Sequence, residues 1–155
     1  MVYTLGTSQR LLEEFLEILE YYKLKRIIDV RSFPASKRYP HFSRQNLEKF
    51  LQEVGIEYFW LGRELGGFRP EGYKTYTRSE AFARGLASLI KLLMEKPSVI
   101  ICAEKFPWRC HRRFIAQKLE EAGIEVRHII EKGRLWCPKK KVQASLRFSP
   151  STSDV

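Results

Sequence analysis

Apolar positions along the chain follow two rhythms. Short β-rich apolar runs predict strands over 2–5, 26–31, 57–61, 98–102 and 125–130. Glu131-Lys132-Gly133 turns the last of them back into 134–137. Between the strands, apolar residues recur at helical spacing. Leu12, Phe15, Leu16 and Leu19 predict a helix over 9–22 with Ser8 as its N-cap. Leu47, Phe50, Leu51 and Val54 predict a second, starting after Ser43 and closed by Gly55. The capping-box spacing Thr77-Arg78-Ser79-Glu80 opens a third, carrying Phe82, Leu86, Leu89, Ile90 and Leu93. A fourth spans 108–122 and ends at Gly123. The Gly-, Arg- and Tyr-rich stretch 62–77 predicts a long loop. No internal repeat is present.

Strands alternating with helices predict an α/β domain over 1–137: a mostly parallel sheet of about five strands with helices on both faces. Residues 138–155 are rich in Lys, Ser and Pro without apolar periodicity, which predicts a disordered or loosely attached tail. Ligands of such sheets bind beyond the carboxyl ends of the strands. That rule gathers four loops at one edge: Gly6-Thr7-Ser8, Asp29-Val30-Arg31-Ser32, 61–69 and 102–113. They hold most of the unusual polar residues.

Hydrophobic residues at 44% and charged residues at 30% exclude wholesale disorder. Apolar runs are only a handful of residues long, so no membrane span is expected. The start, Met1-Val2-Tyr3-Thr4-Leu5, lacks a basic region followed by an apolar stretch, so no signal peptide is expected. With three cysteines, an odd number, reduced thiols in the cytoplasm are the expectation. The formal net charge is +10. Lys139, Lys140, Lys141 and Arg147 against Asp154 put only +3 of it on the tail. A basic body favours anionic partners such as phosphate or nucleic acid, and solubility alone would also account for it. Abundant Glu, Lys and Arg with a single asparagine, Asn46, resembles thermophile composition.

The densest segment runs from Cys102-Ala103-Glu104 through Trp108-Arg109-Cys110-His111-Arg112-Arg113, from a strand end to a helix start. Free N–H groups at such a junction attract anions, and the arginines add a cationic rim. Solvated arginines, or pairs with Glu120 and Glu121, explain the same residues. Cys102 sits where phosphatases and rhodaneses place a nucleophile. Those families close the loop with Arg after five residues, whereas six separate Cys102 from Arg109. Glu104 also opposes a thiolate there, so a buried structural Cys102 is the expectation. Cys110 is the better thiol, in a predicted first helical turn beside Arg109 and Arg112. His111 follows it, but adjacent helical residues do not face each other. Cys102, Cys110, His111 and Cys137 are soft ligands, with His41 and His128 in reserve. No CxxC or HExxH pattern organises them, so neither metal nor cofactor is expected.

Asp29 and Arg31 end the second predicted strand, where Asp29 either orients a catalytic group or ties a neighbouring loop. Ser36, Lys37, Arg38, His41 and Arg44 interleave with Phe33, Tyr39, Pro40 and Phe42, a basic-aromatic string that can clamp nucleotides or simply pin a solvated loop. Leu65-Gly66-Gly67-Phe68-Arg69 permits close backbone approach.

Gly6-Thr7-Ser8, Asp29-Val30-Arg31-Ser32-Phe33-Pro34 with Ser36, Leu65-Gly66-Gly67 with Arg69, Cys102-Ala103-Glu104, Cys110-His111-Arg112, and 123–129 together resemble the family catalogued as domain of unknown function 488. The resemblance covers about residues 1–130. The family commonly has His where Thr7 stands. The resemblance implies a small cytoplasmic α/β domain and no particular reaction. It adds weight to Asp29, Arg31, Glu104, Cys110, His111 and Arg112.

The resulting expectation is a small enzyme or ligand-binding domain with a cationic cleft for a phosphorylated or other anionic ligand. Thr7, Ser8, Arg31, Ser32, Ser36, Arg38, Arg69 and Arg112 are its binding candidates. Glu104 is the acid/base candidate, with Cys110, His111 and Asp29 assisting. Glu104 and Arg112 are expected to face one cleft. One alternative is a nucleic-acid-binding module using the tail, Lys37, Arg38, Arg44 and the loop aromatics. Another is a non-catalytic interaction protein.

Overall fold

A computed structural model describes residues 1–138, so 139–155 of the expected tail lie outside the described residues. Six strands, β1 (Val2–Gly6), β2 (Arg26–Asp29), β3 (Glu57–Trp60), β4 (Ser98–Cys102), β5 (Val126–Glu131) and β6 (Arg134–Trp136), form one sheet in the order β3-β2-β4-β1-β5-β6. The first five are parallel, and β6 runs antiparallel to β5. The helices are α1 (Leu12–Tyr21), α2 (Arg44–Glu53), α3 (Gly62–Leu65), α4 (Tyr73–Tyr76), α5 (Glu80–Glu95) and α6 (Arg112–Glu121).

Side chains alternate across a strand, and here the alternation feeds two cores. Val99 and Ile101 of β4 join Phe15, Ile18 and Leu19 of α1 and Leu47 and Leu51 of α2. Their neighbours Ile100 and Cys102 join Phe82 and Leu89 of α5 and Ile115 and Leu119 of α6. The near-continuous apolar run of β4 follows from burial on both faces.

Neighbouring strands β1 and β4 send their chains in opposite directions. From β1 the chain crosses through α1 to β2, and from β4 it crosses through α6 to β5 on the other face. The loops after these two strands therefore part, and a crevice opens at their carboxyl ends. Its base is closely built. The amides of Thr7 and Ser8 donate to the carbonyls of Cys102 and Ala103, both at 2.8 Å. A Cβ on Gly6 would stand 2.0 Å from the Glu104 carbonyl oxygen.

That loop corrects the predicted start of the first helix. Ser8 is not an N-cap but a turn residue at φ +49. The helix begins at Leu12, after an extended Leu11 whose side chain caps nothing. The hydrogen bonds from Thr7 and Ser8 carry the chain straight past the strand end before it can turn. The stretch expected as a long loop, 62–77, contains α3 and α4. The Tyr73 and Tyr76 hydroxyls hold these together by donating to the Leu65 and Glu64 carbonyls. The helix expected over 108–122 is divided. Pro107–Arg109 is a 3-10 turn, Cys110 is extended, and α6 starts at Arg112. The capping-box spacing makes Thr77 the cap of α5, but Thr77 closes α4 and Ser79 is the cap, accepting from the Phe82 amide. No helix among the described residues is long and apolar enough to cross a membrane.

Candidate functional site

A cleft of about 420 Å³ occupies the crevice. Thr7, Ser8 and Gln9 line it from the loop after β1, and Ala103 from the loop after β4. Arg31, Phe33, Ala35, Ser36, Tyr39 and Phe42 line it from the segment after β2. Four predicted ligand residues, Thr7, Ser8, Arg31 and Ser36, thus share one wall. Gln9, Tyr39 and Phe42 complete it. The Tyr39 hydroxyl donates to Gln9, joining the two sides of the mouth.

Arg31 is fixed before any ligand arrives. Its Nε and Nη2 donate to both carboxylate oxygens of Asp29, and its Nη1 donates to the Phe42 carbonyl. Asp29 is wholly buried and also accepts from the Arg31 amide and the Tyr58 hydroxyl. Burial, then the nearby Asp29 charge, push the Tyr58 phenol well above its ordinary range, so it stays a donor. Asp29 is therefore spent on positioning Arg31. Ser36 accepts from the Tyr39 amide. Thr7 differs from all of these. It is only 3% exposed, and no side-chain hydrogen bond of its hydroxyl is found among the described residues.

The other candidates are placed elsewhere. Ser32 accepts from the Phe68 amide, tying the loop after β2 to the segment after α3. Arg69 donates to the Gly66 and Arg63 carbonyls and lies 3.8 Å from the Tyr76 ring centroid. Arg38 is exposed above the Tyr39 ring. Glu104 accepts from the Phe106 amide through its carboxylate. The expected Glu104–Arg112 pair across a cleft is not formed. Arg112 is fully buried under the α6 face of the sheet and meets Glu104 only at the backbone carbonyl.

Around Arg112 lies a second, closed polar cluster. Its guanidinium donates to the Thr4 hydroxyl at 2.9 Å, the Cys102 sulfur at 2.6 Å and the Glu104 and Lys105 carbonyls. No carboxylate pairs with it among the described residues. Thr4 and His128 are register partners on β1 and β5, and their side chains hydrogen-bond at 2.6 Å. Burial, then the Arg112 charge, lower His128 to about 4, which keeps it neutral. The Cys102 and Cys110 sulfurs are 2.8 Å apart. The extended backbone of Cys110 also brings its sulfur to 3.5 Å from Nδ1 of His111. On the expected helix those two side chains would have diverged. His111 is anchored by Nε2 to the Val30 carbonyl. The hydrogen bond from Cys102, then those from His111 and the Arg112 charge, lower Cys110 to about 4. Burial first, and the bond to Cys110 next, push Cys102 far up. The buried guanidinium thus lies against the Cys102 sulfur of this close pair.

Sequence reasoning missed Thr4, which has the form of an ordinary strand residue. Nothing marks it except its register opposite His128. Among the described residues, no group of three or more His, Cys, Asp or Glu is arranged to hold a metal ion.

No curated protein and no solved structure matches the chain significantly. Residues 11–119 match the family described as Domain of unknown function DUF488, and the chain belongs to that family.

Proposed function

We propose that the protein binds a small phosphorylated or otherwise anionic ligand in the cleft beyond β1, β2 and β4, as an enzyme or a ligand-binding domain. The buried Thr7 on the cleft wall carries this reading. Around it stand the Ser8 hydroxyl and a guanidinium held rigid by Asp29. A preoriented arginine suits phosphate or carboxylate oxygens. Phe33 and Tyr39 flank the opening and give a planar ligand body an apolar surface. Glu104 follows Ala103 of the wall and is the nearest carboxylate in sequence for acid/base work. The reading places the protein in the cytoplasm, where free thiols stay reduced.

Melting temperature measured against inorganic phosphate and nucleoside monophosphates tests it. Binding to the folded state alone adds about 2.7 kcal/mol at a hundredfold excess over Kd. Thr7→Val keeps the shape and removes the hydroxyl. It is expected to leave the ligand-free melt unchanged or slightly higher and to abolish the rise. No rise with any of these anions, in the parent protein, overturns the reading.

A nucleic-acid reading has one observation in its favour. Phe33 and Phe68 are both exposed and pack edge to face with centroids 5.7 Å apart, and the exposed Lys37 and Arg38 follow Phe33 closely in the chain. Exposed aromatics beside cations stack on unpaired bases. Oligonucleotide affinity that falls steeply with salt would support it, and a small-anion cleft would respond far less.

A further inference from the structure

The cleft makes no use of the Cys102–Cys110 cluster. We propose that these two cysteines are a reversible dithiol/disulfide pair that reacts with hydroperoxides, Cys110 attacking and Cys102 resolving. The sulfurs already stand 2.8 Å apart, less than an ångström beyond bonding distance. The roles follow from burial and contacts. Cys110 keeps 8% exposure and lies beside His111, whereas Cys102 keeps 1% and lies under Arg112. The contacts of the pair push Cys110 down and Cys102 up, which makes Cys110 the more readily ionised thiol. Both thiols are free.

The chemistry balances with a hydroperoxide as the two-electron oxidant. The Cys110 thiolate attacks the distal peroxide oxygen, and the O–O bond breaks. Cys110 becomes a sulfenic acid, and the leaving hydroxide or alkoxide takes a proton from water. Cys102 sulfur then attacks the Cys110 sulfur. The S–S bond forms, the S–O bond breaks, and the departing hydroxide takes the Cys102 proton and leaves as water. A dithiol reductant returns both thiols by exchange. Arg112 makes the disulfide easy to reduce, since oxidation removes the thiolate and leaves a buried cation without its counter-charge.

The full-length chain carrying Cys137→Ser, which removes the exposed third thiol, is treated with hydrogen peroxide and then alkylated. The expected result is loss of both alkylatable thiols, a mass lower by two hydrogens, a crosslink between the Cys102 and Cys110 peptides, and full recovery with dithiothreitol. Adding Cys102→Ser is expected to stop the reaction at a sulfenic acid trapped by dimedone. Alkylation of Cys110 is expected to keep its rate from pH 8 to pH 5, where an ordinary thiol slows about tenfold per unit. If both thiols remain alkylatable after peroxide has consumed free cysteine, the proposal fails. It fails equally if Cys110 goes straight to sulfinic acid while Cys102 stays free, or if only oxidised glutathione forms the disulfide. The single Cys137→Ser protein decides this even where the double variant does not fold.

Discussion

The guanidinium of Arg112 donates to the sulfur of Cys102 at 2.6 Å while the Cys102 sulfur lies 2.8 Å from that of Cys110. Arg112 is the largest of the fully buried side chains. A buried cation without a carboxylate is costly unless another anion or enough carbonyls compensate it. Here the Cys102 sulfur and the carbonyls of Glu104 and Lys105 all accept from it. The same contacts clamp the loop after β4 onto α6, and this loop supplies Ala103 to the cleft. The arginine thus shapes the cleft from beneath.

Arg112→Met tests that role. It removes the positive charge and leaves the Cys102 sulfur and the Glu104 and Lys105 carbonyls without their donor. Breaking one side of a buried charged network costs about 3–5 kcal/mol. Chemical denaturation is expected to show a loss of that size. The low-pH reactivity of Cys110 is also expected to weaken, because the Arg112 charge that helps to lower it is gone. A stability change within about 0.5 kcal/mol would mark Arg112 as an idle surface-like cation.

Asp29→Asn probes the other buried pair. Asp29 accepts from the Arg31 amide, the Arg31 guanidinium and Tyr58. Asparagine offers one acceptor oxygen where two are used and leaves Arg31, 7% exposed, without its counter-charge. A loss of about 3 kcal/mol is expected. Calorimetry is expected to show phosphate affinity falling with it, as Arg31 loses its fixed orientation. A variant of parental stability that keeps phosphate binding would remove Asp29 from both roles.

Much of this was legible beforehand, and the misses share one cause. The two-sided burial of β4 and the apolar faces of α1, α2 and α5 are periodic, so the α/β class and the crevice at the strand ends follow from pattern alone. The start of α5 near Glu80 was equally readable, although Ser79 caps it in place of Thr77, which closes α4. Ser8, Cys110 and Arg112 were misplaced because tertiary contacts override local signals there. Ladder bonds from Thr7 and Ser8 to β4 delay α1. Pro107 starts a 3-10 turn and Cys110 stays extended, which delays α6 and turns the Cys110 sulfur onto Cys102. Arg112 has the sequence signature of a solvated helix-end arginine. Only the strand register that puts Thr4 beside His128 and Cys102 beside Gly6 reveals the buried slot it fills.

Gly6→Ala is expected to be among the most damaging single-methyl additions. The new Cβ would meet the Glu104 carbonyl oxygen at 2.0 Å and its carbon at 2.6 Å. These are backbone atoms, held by Arg112, and cannot swing aside as a side chain could. Relief requires separating the loop after β1 from the loop after β4, where the Thr7 and Ser8 amides bond. A drop of about 2–3 kcal/mol is expected from such overpacking. Gly55→Ala serves as the control, with open space around the site and only the strain of φ +76.

Stability against pH is the last test, and its signs come from three buried groups. Cys110 titrates near 4 when folded, below an ordinary thiol, so the unfolded chain binds more protons there. Its contribution is complete above about pH 8.5 and is lost as pH falls toward 4. His128, also lowered to about 4, adds a second loss below about pH 6.5, because the unfolded imidazole takes a proton that the folded one refuses. Cys102 is raised, so its contribution is present at neutral pH and lost as pH climbs past about 8.5, where the unfolded thiol ionises first. Melting temperature is therefore expected to fall steadily from pH 8 to pH 6 and more steeply from pH 6 to pH 4. Cys110→Ser is expected to flatten the first of these slopes and roughly halve the second, leaving the part that belongs to His128. A parental curve that is flat from pH 8 to pH 6, or a Cys110→Ser curve that runs parallel to it, would mean that the buried pair holds no thiolate and that Arg112 is balanced by carbonyl oxygens alone.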